Sequence, residues 1–167
     1  MKNTKLKMAR KSLLEQAFEQ ADAIIGIATA LPIFRLVHLL NQHSRLKLEC
    51  EDDIPIYIDK VKLLLEFPFY IHEDEDLRTS FCLVSNSNKT ALILPSHKQL
   101  SYLLILKGAI PNDKISSLVI SIKQIPGIQL ATLLNQSTLK NFESVMEDLE
   151  LHLDSIRKKK SANSIRI

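Results

Sequence analysis

A chain of 167 residues, 46% hydrophobic and 25% charged, is long enough to bury one sizeable core and too short for two comfortable domains. Two cysteines exclude a disulfide framework, three glycines exclude the phosphate-cradling loops of dinucleotide and P-loop proteins, and no apolar run reaches membrane-spanning length. The net charge of +3 hides a division, because residues 1–11 and residues 157–167 each hold five Lys or Arg and no acid. The remaining twelve basic residues face all nineteen acids, so the body of the chain is acidic and its ends are basic.

In chain order, residues 1–10 read as a flexible basic N-terminus, with Lys2, Lys5, Lys7 and Arg10 and no signal-peptide core behind them. Leu13, Leu14, Ala17, Phe18 and Ala21 recur at helical spacing and predict a short amphipathic helix over 11–21. The apolar run Ala23 to Thr29 reads as a buried central strand in which Gly26 admits close approach of another element; continuation of the first helix is the alternative. Pro32 suits the first turn of a helix that buries Leu36, Val37 and Leu40 and ends near His43 or Ser44.

Arg45 to Glu49 alternates with period two and predicts a strand, closed by an acidic turn at Glu51, Asp52 and Asp53. Cys50 continues the Leu46 and Leu48 face, and Cys82 shares a face with Val84, so both read as buried core thiols of a reducing, cytoplasmic compartment. Residues 54–65 are ambiguous. Residues 67–107 then offer four short strands of an antiparallel meander, at Phe67 to Ile71, Phe81 to Ser85, Ala91 to Leu94 and Leu100 to Leu106. The last two are apolar at nearly every position, which predicts a sheet covered by helices on both faces.

A helix follows from Pro111 through Lys123, then a strand at Ile128 to Leu133, with Asn135 and Ser137 as caps for the last helix. In that helix Leu139, Phe142, Met146, Leu149, Leu153 and Ile156 step by three and four, a heptad seam that must be covered by the chain's own sheet or by another chain. His152 falls among the polar positions that flank it. Residues 157–167 read as a basic C-terminal tail, in which Arg157 to Lys160 suit the last helical turn before Ser161, Ala162 and Asn163 fray. The expected fold is one α+β domain over 11–156, a mainly antiparallel sheet with helices on its faces and a long C-terminal amphipathic helix.

Candidate chemistry is sparse. The acidic run Glu73 to Asp76 lacks the small residues and glycine of a calcium loop and reads as a solvated turn. The five histidines are too scattered for a zinc motif, and neither metal nor cofactor is expected. Arg35, His38 and Asn41 recur at three on one helix beside the end of a strand, and with Tyr102 they form the candidate ligand site of a small enzyme or binding protein.

The Ile25-Gly26-Ile27 strand, Arg35-Leu36, Leu40-Asn41, Phe69-Tyr70 followed by acids, Leu83 to Asn86, Leu94-Pro95 and Tyr102 to Gly108 together resemble the small bacterial IPExxVDY family, over roughly residues 22–132. In the naming motif Pro95 and Tyr102 stand, whereas Ser96, Leu100 and Ser101 occupy the places of glutamate, valine and aspartate, with an extra residue between. The resemblance implies a fold and a compartment, and brings no catalytic residue.

The residues therefore point first to a non-catalytic interaction module, a homodimer or a partner of another protein, with the heptad helix or the sheet making the contact. A small enzyme at the Arg35 patch and RNA association through the basic tails are the alternatives. No membrane partner is expected.

Overall fold

In the computed structural model, which describes residues 22–165, the chain forms a six-stranded antiparallel sheet with three helices. The elements are β1 (Asp22–Thr29), α1 (Ile33–Ser44), β2 (Glu49–Ile58), β3 (Leu63–Asp74), β4 (Thr79–Ser85), β5 (Tyr102–Lys107), α2 (Asn112–Lys123), β6 (Ile128–Leu134) and α3 (Phe142–Ile165). The sheet order is β2-β3-β4-β5-β1-β6, so the first strand lies inside the sheet and the outer edges belong to β2 and β6. The helix expected over 11–21 and the basic segment before it lie outside the described residues.

Each face of the sheet buries its own core. On one side Ile24, Ile54, Ile56, Phe67, Phe69, Cys82 and Leu103 pack under α3 and the 86–101 connection. On the other, Ile25, Ile27, Leu83, Leu104 and Leu106 pack under α1 and α2. That double burial is why β1, β4 and β5 read as nearly unbroken apolar runs. Gly26 is needed for space, since a Cβ there would meet Leu100 Cδ1 at 2.5 Å.

Local chemistry sets the ends of the elements. Pro32 supplies a fixed φ at the start of α1, and its carbonyl accepts from the amides of Arg35 and Leu36, both at 3.0 Å. Arg45 ends the helix in the left-handed region, at φ 56°.

Two expected strands and one expected turn are corrected. Residues 45–48 are extended, with Leu46 and Leu48 buried, but they lie outside the sheet. The Asn41 amide takes both backbone groups of Leu48, accepting from its N–H at 2.9 Å and donating to its carbonyl at 3.1 Å, as a neighbouring strand would. Glu51, Asp52 and Asp53 are not a closing turn but part of β2, where the register with β3 shifts between Glu51 and Ile54. The shift turns Ile54, Ile56 and Ile58 toward α3. Cys50 is exposed rather than buried, because it lies on the outermost strand; Cys82 is buried as expected.

Ala91 to Leu94 makes no strand, only an isolated bridge between Ser87 and Leu92. The fully buried Asn86 captures this segment instead. Its Oδ1 accepts from Leu94 N at 2.9 Å, and its Nδ2 donates to the carbonyls of Leu100 and His97 at 2.9 and 3.2 Å. The Asn86 carbonyl accepts from Ile93 N at 2.8 Å and Asn88 Oδ1 from Ala91 N at 2.8 Å, so the amides of Ala91, Ile93 and Leu94 are satisfied by two asparagines rather than by a ladder. The meander accordingly begins at β2, one hairpin earlier than the sequence suggests, and omits this segment.

Asn135 caps the single turn Gln136–Thr138, accepting from Ser137 N at 3.1 Å, and does not cap the long helix. Leu139 precedes α3, which begins beyond Asn141 at φ 60°. The helix then runs through Ile165, so 161–165 continue it instead of fraying.

Candidate functional site

The residues expected to bind a ligand do not converge. Arg35 and His38 are exposed on α1, Asn41 is committed to Leu48, and the buried Tyr102 donates its hydroxyl to the Leu31 carbonyl at 2.7 Å. Burial pushes the Tyr102 phenol above its ordinary range, which suits a structural donor that stays protonated. The five best-formed cavities among the described residues are lined by other side chains.

The heptad seam is covered by the chain's own sheet. Leu139, Phe142, Leu149, Leu153 and Ile156 are buried in the core with Ile54, Phe67 and Phe69, and Met146 packs partly buried against it. Val145 and His152 join them, so the buried stripe is wider than the seam. The His152 ring stands edge-on to Phe69 at 4.9 Å between centroids. Its burial corrects the reading that placed it on the polar face.

The two sheet edges differ sharply in chemistry. The β2 edge carries Glu49, Glu51, Asp52 and Asp53, a proline at 55 and the register shift, all features that oppose pairing with another strand. It is also strapped by α3. Asp148 Oδ2 accepts from Tyr57 N at 2.9 Å, and His152 Nε2 lies 3.0 Å from the Asp52 carbonyl oxygen. Lys159 pairs with Asp52 at 2.5 Å, Lys160 with Glu51 at 3.4 Å and Arg157 with Glu73 at 3.1 Å. The Lys159 ammonium holds the Asp52 carboxyl below its usual range. Three cations of the expected basic tail therefore face acids of the body.

The β6 edge, among the described residues, carries fewer of these guards, its register with β1 shifting once, where Ala28 pairs with Leu130 and Thr29 with Ile128. Its sequence IQLATLL holds no charge and no proline, and its sole partner strand among the described residues is β1. The register with β1 is unbroken from Leu130 to Leu134, so the strand keeps a regular pleat over that length. Leu130 and Leu133 are 41% and 54% exposed, on opposite faces because they are paired with Ala28 and Ile25. An outer strand sends alternate amides and carbonyls away from its partner, and here they are framed by apolar side chains. What the arrangement can do chemically is accept a further strand.

Sequence reasoning identified this segment as a strand and missed that it is an edge. The uncharged run was visible, but strand order decides whether such a run is interior or outermost. Among the described residues no group of three or more His, Cys, Asp or Glu is placed to hold a metal ion, and no helix is long and apolar enough to cross a membrane. No family model matches this chain, and no curated protein matches it by sequence.

Proposed function

We propose that this protein is a non-catalytic interaction module that forms a homodimer by pairing β6 with β6 of a second copy, joining two sheets into one. The observation that carries the reading is the contrast between a charged and strapped β2 edge and a β6 edge that is uncharged, keeps its register from Leu130 to Leu134 and has no outer partner strand among the described residues. Membership of the IPExxVDY family and a cytoplasmic setting belong to the same proposal, on the motifs given above.

A second copy suits this edge better than an unrelated strand. A two-fold axis perpendicular to the sheet keeps each residue on its own face, so a pairing centred on Ala131 sets Leu130 opposite Thr132. No like charges meet. The same operation on β2 would set Glu49, Glu51, Asp52 and Asp53 against their copies. The contact moves from helix to sheet, since the seam of α3 is already covered.

Light scattering after size exclusion, at high protein concentration, tests the reading. The unmodified chain should elute as a dimer, and the double variant Leu130→Lys, Leu133→Lys as a folded monomer with an unchanged circular dichroism spectrum. A monomeric unmodified chain, or a dimer that survives both lysines, overturns it.

A further inference from the structure

A second site lies at the other end of the molecule's chemistry. The C-terminal end of α1, one face of α2 and the β3–β4 hairpin line an open cavity of about 320 Å³. That volume is at the small end of the range for small-molecule sites. We propose that it binds a small monocarboxylic acid with an apolar body.

Three observations assign the ligand class. Phe81, Leu106 and Ile110, all buried, form apolar walls with the partly buried Leu118. Such walls match an aliphatic or aromatic body of a few carbons. The Ser44 hydroxyl is buried at the cavity and has no hydrogen-bond partner among the described residues. A buried hydroxyl without a partner is costly, and a turn of the Ser44 side chain toward the cavity would bring it to a ligand oxygen and recover a bond that the chain itself does not supply.

Charge selects the form of that oxygen. Arg45 and Lys114 line the cavity from two different elements, and Ser117 and Ser121 add hydroxyls one helical turn apart on α2. Two cations and three hydroxyls suit a carboxylate, which accepts at both oxygens. The acid that also lines the space, Asp74, has Oδ1 committed to the Leu77 amide at 3.0 Å, where it closes the hairpin turn. Neighbouring His72 stacks on Phe81 at 5.7 Å and forms part of the wall.

Titration of the full-length, isotope-labelled protein with phenylacetate, followed by amide chemical shifts, tests the proposal. Saturable shifts should centre on Ser44, Ser117 and Ser121. Neutral 2-phenylethanol should bind at least about tenfold more weakly, as should phenylacetate to the double variant Arg45→Gly, Lys114→Gln. Glycine adopts the φ of 56° at position 45 freely, so this variant keeps the fold while losing both cations. Ser121→Leu, which fills the space from a half-buried position, should abolish the shifts at Ser44 with the rest of the spectrum retained. Absence of saturation at millimolar phenylacetate, equal binding of the alcohol, or shifts confined to residues 157–165 overturns the site.

Discussion

His152 Nε2 lies 3.0 Å from the carbonyl oxygen of Asp52, so a ring carried by α3 serves a backbone acceptor on the outer edge of β2. A carbonyl only accepts, and the ring must therefore carry its proton on Nε2 and donate it. Burial lowers the pKa of the ring from its ordinary value, outweighing the bond to Asp52 and the nearby Asp52 and Glu51 charges; Lys159 lowers it further.

The pH dependence follows in sign. With the folded pKa below the ordinary 6.5, the unfolded chain takes up the proton first. Stability contributed by the neutral ring is complete above that value and is lost as the pH falls through it toward the folded pKa. Urea midpoints measured from about pH 7 down to about pH 5 should fall, and His152→Gln should flatten the profile. An unchanged slope in the variant assigns the dependence elsewhere.

Asn86→Ala should be among the most damaging single substitutions in the chain. It leaves the Leu94 amide and the Leu100 carbonyl without their partner in a buried site, while the His97 carbonyl keeps the Leu100 amide. A loss of about 2–5 kcal/mol is expected from equilibrium denaturation, larger than for a surface asparagine.

The two faces of α3 should separate cleanly. Leu149 is fully buried and Leu151 is 69% exposed two residues later. Leu149→Ala should cost about 2–5 kcal/mol, and Leu151→Asp should stay within about 0.5 kcal/mol of the unmodified protein. Thermal melts of the pair check whether the helix docks as described.

Gly26→Ala should destabilise by about 1–3 kcal/mol through overpacking against Leu100. Because the clash is with a flexible side-chain end, shortening Leu100 to Ala in the same chain should absorb the added methyl. The double variant should then cost less than the sum of the singles, which a double-mutant cycle measures.

What was legible in the sequence was whatever a short window determines. β1 and β5 announced themselves because both of their faces are buried, and α1 because Pro32 marks its start and Leu36, Val37 and Leu40 its inner face. The misread pieces depend on partners far along the chain. Ala91 to Leu94 looks like a strand until Asn86 is known to hold it. His152 looks solvent-facing until Asp52, 100 positions away, supplies its acceptor.

The candidate sites were less legible than the fold for the same reason. Arg35, His38 and Asn41 share a spacing, yet spacing alone does not place a wall opposite them, and Asn41 has a structural occupation instead. Ser101 is likewise occupied. Ser101 Oγ donates to the Thr29 carbonyl at 2.7 Å and accepts from the Thr29 amide at 3.1 Å, tying the end of β1 to the start of β5.

The interior position of β1 sets the order of assembly. The ribbon β2-β3-β4 closes through hairpins between successive segments, whereas Ile24 must find Ile105 on one side and Leu134 on the other, across most of the chain. Closing such long loops is slow. During refolding, pulse-labelled amides of Leu63–Asp74 and Thr79–Ser85 should gain protection before those of Asp22–Thr29, so that among the described strands the earliest in sequence is locked after the ribbon that follows it.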